Sequence, residues 1–220
     1  MSSFIESNSF TKQINTLRCS DKTLGKLINV IGPLTIPVPT KHHEYENLIK
    51  SIIGQQLSPK PAKTIYEKVK KLCIEVKPET ILSIPDIDLR NLGVSSKKVT
   101  YLKDLSTKVL LGDLDLLQLH MDSNAEVIQK LSRVKGIGNW TAEMFLIFTL
   151  GRTDVLSLSD VGLQRSCKWL YNLESNTEGK KLLELKLNQW KPHLTLASLY
   201  LWESVNKGFV VNFSSIDEIA

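Results

Sequence analysis

The chain has 220 residues, 42% of them hydrophobic, and carries a net charge of +5. This length suits one compact unit or two small lobes, and no apolar run is long enough to span a bilayer. The first 18 residues lack the apolar segment of a secretory signal. The three cysteines are too scattered for a zinc or iron–sulfur site. We therefore expect an intracellular protein, in the cytoplasm or nucleoid or in a eukaryotic nucleus, with no membrane partner.

The positive charge is concentrated in one segment. Residues 51–108 hold 11 Lys/Arg against 6 Asp/Glu, an excess equal to the net charge of the whole chain. A basic lobe on an otherwise balanced protein suggests a polyanionic partner. Solvated lysines on helix faces would explain the same excess without any partner.

Hydrophobic periodicity and capping signals predict helices along nearly the whole chain. Residues 1–20 show no clear period, and we expect them to be weakly ordered. Residues 33–42 are rich in proline and are predicted to form an extended connector. Only residues 209–213, near the tail, show the pattern of a strand. The predicted fold class is all-α, with helices over residues 21–31, 45–53, 59–76, 79–84, 86–92, 96–109, 124–133, 140–150, 161–171, 178–190 and 193–206.

The most informative stretch, Leu131–Ala142, reads LSRVKGIGNWTA. Gly136 and Gly138 flank Ile137, and residues without Cβ tolerate positive φ, so a tight hairpin pinned by an inward Ile137 can join two helices. The amides of the turn would then point outward at a helix N-terminus, which is a ready phosphate site. No Lys-Ser/Thr follows at the spacing of a nucleotide P-loop. A plain glycine-rich corner between helices is the alternative.

This stretch resembles the hairpin of the helix-hairpin-helix DNA glycosylase superfamily, whose pattern is L-x-x-[LVF]-x-G-[IV]-G-x-x-T-A. In that family a catalytic Asp follows the second helix, and here Asp160 stands 22 residues after Gly138. The resemblance implies that Asp160 stabilises positive charge on the deoxyribose and orients the attacking water. From residue type alone, Ser159-Asp160 before an apolar helix is an ordinary N-cap.

The resemblance covers about residues 24–205 and implies two helical lobes with an active cleft between them. Residues 49–149 would form the central lobe with the hairpin, and residues 1–48 and 150–220 the second lobe. The segments Trp190–His193 and Ala197–Trp202 further resemble the W-[KR]-P-x-[RL]-[ST]-x-A-x-x-Y-L-W signature of the 3-methyladenine DNA glycosylase II branch. His193-Leu194 departs from the usual aromatic-Arg pair of that signature.

The resemblance also implies a base pocket of Trp140, Trp202 and Met144. An indole face stacks well on a positively charged alkylated purine. Relatives that also cleave the DNA backbone carry at the position of Trp140 a Lys that forms a Schiff base. The indole therefore implies an enzyme that releases a base without nicking the strand. A purely structural, core role for Trp140 is the alternative.

The expected DNA contacts lie in two segments. The sequence IGQQLS at Ile53–Ser58 resembles the family's I-x-[GS]-Q-Q-[LIV]-S loop, and Gln56 or Leu57 would fill the hole left by a flipped nucleotide. The stretch Leu89–Lys98 also matches the family and would present lysine to the DNA backbone. The full expected set of DNA-binding residues is Gln55, Gln56, Leu57, Lys135, Gly136, Gly138 and Thr141.

The family's hairpin also holds a monovalent cation between main-chain carbonyls and a DNA phosphate. The matching carbonyls are those of Ser132, Val134 and Ile137. No other cofactor is expected.

These observations predict a monomeric, monofunctional DNA glycosylase that excises alkylated purines of the 3-methyladenine type from double-stranded DNA in base excision repair. Two alternatives remain open. One is a non-catalytic helix-hairpin-helix DNA-binding protein, and the other is a glycosylase for a deaminated or oxidised base.

Overall fold

The computed structural model describes residues 4–6, 10–37, 43–173 and 178–220. Within these residues the regular secondary structure is almost entirely helical, which confirms the all-α class. The exception is a pair of three-residue antiparallel strands, β1 (Phe4–Glu6) and β2 (Thr35–Pro37), with Ile5 opposite Ile36. No helix among the described residues is both long enough and apolar enough to cross a membrane.

The chain divides into two compact units, Thr40–Leu150 and the pair Met1–Pro39 with Gly151–Ala220. We call them the central unit and the terminal unit. The helix Glu44–Gly54 is continuous and packs within the central unit.

The central unit is built around α3 (Glu44–Gly54), whose inner face buries Leu48, Ile49, Ile52 and Ile53 at helical spacing. It packs against α4, α7 and α9. The remaining helices of the unit are α4 (Pro59–Cys73), α5 (Pro78–Ser83), α6 (Asp86–Asn91), α7 (Ser96–Leu110), α8 (Asn124–Leu131) and α9 (Asn139–Phe148).

The terminal unit contains helices from both ends of the chain. They are α1 (Thr11–Ser20), α2 (Lys22–Ile31), α10 (Val161–Leu170), α11 (Gly179–Trp190), α12 (Leu194–Asn206) and α13 (Phe209–Asn212). Their apolar faces form one core around Leu24, Leu163, Trp190 and Leu201, which are almost completely buried.

A buried carboxylate ties the terminal unit together. Asp21 caps α2 through its Oδ1, which accepts the amide N–H groups of residues 23 and 24 at 3.1 Å. Its Oδ2 accepts hydrogen bonds from Tyr171, from Lys186 Nζ at 2.9 Å and from Trp190 Nε1 at 3.0 Å. Burial alone would raise the pKa of Asp21, but these donors outweigh it and lower the pKa. The Trp of the W-K-P signature is thus a core anchor.

Two expectations about the chain ends were wrong. Residues 11–20 form α1 rather than a weakly ordered segment, because Ile14 and Leu17 bury themselves in the core of the terminal unit. Residues 1–3 and 7–9 of that predicted segment, and 38–42 of the predicted connector, lie outside the described residues. The predicted tail strand is instead α13, with the Asn212 N–H bonded to the Gly208 carbonyl at 3.0 Å. A run of five mostly apolar residues cannot distinguish a short helix from a strand.

Candidate active site and DNA interface

Asp160 lies at the start of α10, where it caps the helix and contacts an aromatic side chain. It is the N-cap of α10, and its Oδ1 accepts the Leu163 N–H at 2.8 Å. The same oxygen accepts a hydrogen bond from Trp202 Nε1 at 3.1 Å. The residue is only 8% exposed. Capping therefore does not turn the carboxylate away from the indole, and two N–H donors on one oxygen fix its direction.

Gly162, which no sequence motif marks, makes room for this contact. A Cβ at Gly162 would lie 3.1 Å from Asp160 Oδ1 and 3.6 Å from Trp202 Cδ1. The first distance is tighter than an ordinary carbon–oxygen contact, so a side chain here would press on the carboxylate. Only the close placement of α12 beside the start of α10 reveals this role, and that placement is tertiary.

Thr195, near the start of α12, holds the loop that leads to Asp160. Its hydroxyl donates to the Arg152 carbonyl at 2.7 Å and accepts the Val155 N–H at 3.2 Å. Its own N–H donates to the Thr153 carbonyl at 3.0 Å. One helix therefore carries both Trp202 and the residue that anchors the loop before the carboxylate.

The hairpin between α8 and α9 is a type II turn. The Ile137 N–H donates to the Val134 carbonyl at 3.1 Å, and Gly136, the third residue of the turn, has φ +80°. Ile137 is buried, as its predicted pinning role requires. Gly138 differs from the expectation, because its φ of −95° is open to any residue. Only one of the two glycines needs the left-handed region.

Two residues of α7, Tyr101 and Asp104, contact this turn. A Cβ at Gly136 would lie 2.1 Å from the ring of Tyr101, so the turn closes directly on the aromatic face. The Asp104 carboxylate accepts the Lys135 N–H at 2.8 Å and is paired with Lys108 at 2.8 Å. Neither Tyr101 nor Asp104 was predicted, because no local pattern marks a residue that contacts a turn about 30 positions away.

The loop that follows α3 contacts the hairpin. Gln55 Nε2 donates to the Gly136 carbonyl at 2.8 Å. Gln56 is exposed and has φ +57°, which is uncommon for a side chain of its size, and Leu57 is exposed as well. Lys98 lies in the segment expected to present lysine to the DNA backbone, and its ammonium donates to the Ile53 and Gln55 carbonyls at 2.8 and 2.7 Å.

The other predicted site residues lie on or next to α9. Trp140 is 44% exposed, which excludes the purely core role for its indole. Met144 follows one turn later and is half-buried. The Thr141 side chain is buried, so that residue can offer DNA only its backbone. Lys135 is exposed at the turn.

The predicted cation ligands are backbone carbonyls of the same hairpin. The Val134 carbonyl already accepts the Ile137 N–H, but a carbonyl oxygen has two lone pairs and can also bind a cation. Ser132 and Ile137 stand on either side of the turn. No group of three or more His, Cys, Asp or Glu side chains in the described part of the chain is arranged to bind a metal ion.

Known proteins define the class to which this fold and these residues belong. The model of the HhH-GPD superfamily of base excision DNA repair proteins matches residues 49–193. The chain therefore belongs to this superfamily. Within it, the chain lies in the branch whose members are named DNA-3-methyladenine glycosylases.

The curated relatives support this branch. A putative DNA-3-methyladenine glycosylase of Bacillus subtilis, YfjP, is 34% identical over 77% of this chain and 61% of its own length. DNA-3-methyladenine glycosylase 1 of Schizosaccharomyces pombe is 31% identical over 89% of this chain and 88% of its own length. The chain thus spans less than two thirds of the bacillus relative and most of the yeast one.

Solved structures give the same picture. The crystal structure of a DNA-3-methyladenine glycosidase from Bacillus halodurans has a TM-score of 0.85 and 39% identity, covering 98% of both chains. The S. pombe enzyme Mag1, solved in complex with abasic DNA, has a TM-score of 0.78 and 29% identity, covering 89% of this chain and 97% of its own.

Proposed function

We propose that this protein is a monofunctional DNA glycosylase that excises alkylated purines of the 3-methyladenine type from double-stranded DNA in base excision repair. The observation that carries the proposal is the Asp160 carboxylate, buried at the start of α10 and braced by the Leu163 amide and the Trp202 indole. It works as a monomer on genomic DNA, in the nucleoid or the nucleus.

The hairpin supplies the grip on the DNA backbone. The N–H groups of Gly136, Gly138 and Asn139 donate no hydrogen bond to other backbone groups among the described residues. They stand at the N-terminus of α9, where peptide dipoles favour an anion. A phosphate binds there beside the exposed ammonium of Lys135. The carbonyls of Ser132, Val134 and Ile137 are the proposed ligands of a monovalent cation.

The loop after α3 supplies the wedge. An extrahelical nucleotide leaves a gap in the duplex, and an inserted side chain offsets the lost stacking. Gln56 and Leu57 are exposed next to the hairpin-bound Gln55, so either can enter the duplex without unfolding the protein.

The chemistry is hydrolysis of the bond between C1′ and the base nitrogen. As that bond breaks, its electron pair leaves with the base and positive charge develops on the sugar. The Asp160 carboxylate stabilises that charge and orients a water molecule. The water oxygen bonds to C1′ and gives up a proton to the solvent, leaving an abasic site.

Trp140 shapes the choice of substrate. The exposed face of Trp140 stacks on the base, and stacking is strongest on a cationic alkylated purine. Such a base leaves as a neutral molecule, so no general acid is required to protonate it. With an indole at residue 140 in place of the Lys of strand-cleaving relatives, no Schiff base forms there and the strand stays intact.

The proposal is tested with duplex DNA treated with a methylating agent. Chromatography should detect free 3-methyladenine, and the strand should break at the vacated sites only after hot alkali. Release of hypoxanthine or 8-oxoguanine but not of methylated purines would support the neutral-lesion alternative. Tight DNA binding with no base release would support a non-catalytic binding protein.

A further inference from the structure

Three residues of α7, each three positions after the last, contact both of the segments proposed to touch DNA. Lys98 binds the end of α3 and the loop after it, which contains Gln55, Gln56 and Leu57 and which we call the wedge loop. Tyr101 and Asp104 contact the hairpin turn. Residues spaced in this way share one face of a helix. A single helix face therefore supports the wedge loop and the hairpin together.

Lys98 closes the end of α3. Its ammonium donates to the carbonyls of Ile53 and Gln55 at 2.8 and 2.7 Å, where the helix leaves carbonyl groups without helical partners. A cation at a helix C-terminus is favourable. The two bonds fix the peptide that precedes Gln56, whose φ of +57° is not a conformation this residue type adopts readily. Partial burial lowers the pKa of Lys98.

Gln55 carries this constraint across to the hairpin. Its side-chain amide donates to the Gly136 carbonyl at 2.8 Å, while its own carbonyl is held by Lys98. On the other side of the turn, Asp104 accepts the Lys135 N–H at 2.8 Å. Hydrogen bonds from α7 therefore reach the hairpin by two routes, directly through Asp104 and indirectly through Gln55.

We propose that Lys98 is a positioning residue, which holds the wedge loop against the hairpin through Gln55 and does not itself contact DNA. The hairpin, which binds phosphate, and the wedge loop are then held at a fixed distance from each other before DNA binds. A preorganised wedge loses less conformational entropy on insertion. This inference rests on the proposed function.

The test compares Lys98→Met and Lys98→Arg with the control Lys103→Met. Lys103 is on the same helix but pairs with Asp86, so its loss removes an equal charge without touching the loop. Three quantities are measured: the salt dependence of binding to undamaged duplex, the fluorescence of 2-aminopurine beside an abasic-site analogue, and the single-turnover rate of 3-methyladenine release.

Lys98→Met should keep the wild-type salt slope, because the ammonium makes no phosphate contact. It should lose the rise in 2-aminopurine fluorescence that reports unstacking of the duplex. It should also slow single-turnover release of 3-methyladenine by roughly tenfold or more, since a misplaced wedge no longer keeps the nucleotide flipped out. Lys98→Arg keeps charged donors at the loop and should recover part of both. Lys103→Met should behave like the wild type in fluorescence and release.

A fall of about 0.9 in the salt slope for Lys98→Met would mean a direct phosphate contact and would overturn the inference. Identical behaviour of Lys98→Met and Lys103→Met in all three measurements would also overturn it. If Lys98→Met does not fold, Gln55→Glu replaces it, because this change puts a carboxylate oxygen opposite the Gly136 carbonyl. Wild-type-like fluorescence in Gln55→Glu would then refute the inference.

Failure of the proposed function gives a different result. If the wild type releases no methylated base, the salt slope and the 2-aminopurine signal still report on the wedge loop. A wild-type signal that is lost in Lys98→Met would support the inference in a protein that binds DNA without catalysis.

Discussion

The indole N–H of Trp202 donates to Oδ1 of Asp160 at 3.1 Å, the oxygen that also caps α10. The bond joins two residues 42 positions apart and lies wholly within the terminal unit. It makes Trp202 a support for the carboxylate as well as an aromatic surface. A variant that keeps the aromatic ring but lacks the N–H group can therefore separate these two contributions.

Trp202→Phe should keep an aromatic face and lose the donor to Asp160. We expect base release to fall roughly tenfold, since a hydrogen bond to a charged group contributes about 1.5–3 kcal/mol. Trp169→Phe is the matched control, because its indole N–H donates to the Phe213 carbonyl at 2.9 Å, away from Asp160. Equal losses of activity in the two variants would contradict a specific role for the Trp202 N–H.

Gly162→Ala should separate stability from activity. Alanine is the better helix former by about 1 kcal/mol, which offsets a weakened Asp160 cap of about the same size, so the thermal midpoint should change little. The added Cβ would lie 3.1 Å from Asp160 Oδ1 and should displace the carboxylate, slowing release by about tenfold. Calorimetry and a single-turnover assay on the same preparation check both halves. Full activity with unchanged stability would show that the carboxylate has room to move.

Gly136→Ala should destabilise the hairpin. A residue with Cβ at φ +80° is strained by about 1–3 kcal/mol, and the Cβ would overlap the Tyr101 ring. The free energy of unfolding should fall and binding to undamaged duplex should weaken. Gly138→Ala is the comparison for stability, because residue 138 has φ −95° and no atom within 4 Å of the added carbon. Equal destabilisation by the two changes would disagree with the type II turn.

Glu46 should make folding sensitive to acid. Burial alone would raise the pKa of Glu46, but hydrogen bonds from Tyr66 and His43 outweigh it. With the Lys50 ammonium nearby, the pKa falls from 4.5 to about 2. A lowered pKa in the folded state contributes stability above pH 4.5, and this stability is lost as the pH falls toward 2.

Urea unfolding between pH 6 and pH 2.5 (roughly the window that this linkage sets) should therefore show a steeper loss of stability in the wild type than in Glu46→Gln. Glu67→Gln, at an exposed residue of α4, is the control and should follow the wild type. Parallel curves for the wild type and Glu46→Gln would contradict the linkage.

The sequence predicted the elements that depend on local signals. The capping box of Ser123 and Glu126 is present at the start of α8, with the Ser123 N–H bonded to the Glu126 carboxylate at 2.7 Å. The helix predicted over residues 21–31 is likewise present as α2 (Lys22–Ile31), and it ends before Gly32. In each case the residues that interact are close together in the chain, so the pattern alone contains the interaction.

What the sequence missed depends on tertiary contacts. Lys98 lies in a segment that matched the family, but the carbonyls it binds belong to a helix end more than 40 residues away, which no local pattern indicates. The sequence did not indicate a role for Gly162, because its contact with Trp202 depends on the packing of α12 against α10. The sequence allowed positive φ at both Gly136 and Gly138, because a pair of glycines does not reveal which one occupies the left-handed position.

The central claim is that negative charge at Asp160 drives base release, and Asp160→Asn tests it most directly. Asparagine is as good an N-cap as aspartate, so α10 should remain intact while the charge is removed. The measurement is the single-turnover rate of 3-methyladenine release alongside the dissociation constant for duplex DNA, with the exposed Asp113→Asn as the control. We predict that release falls by about 10²–10³-fold with affinity unchanged. Full release by Asp160→Asn, at the rate of the Asp113→Asn control, would contradict the account.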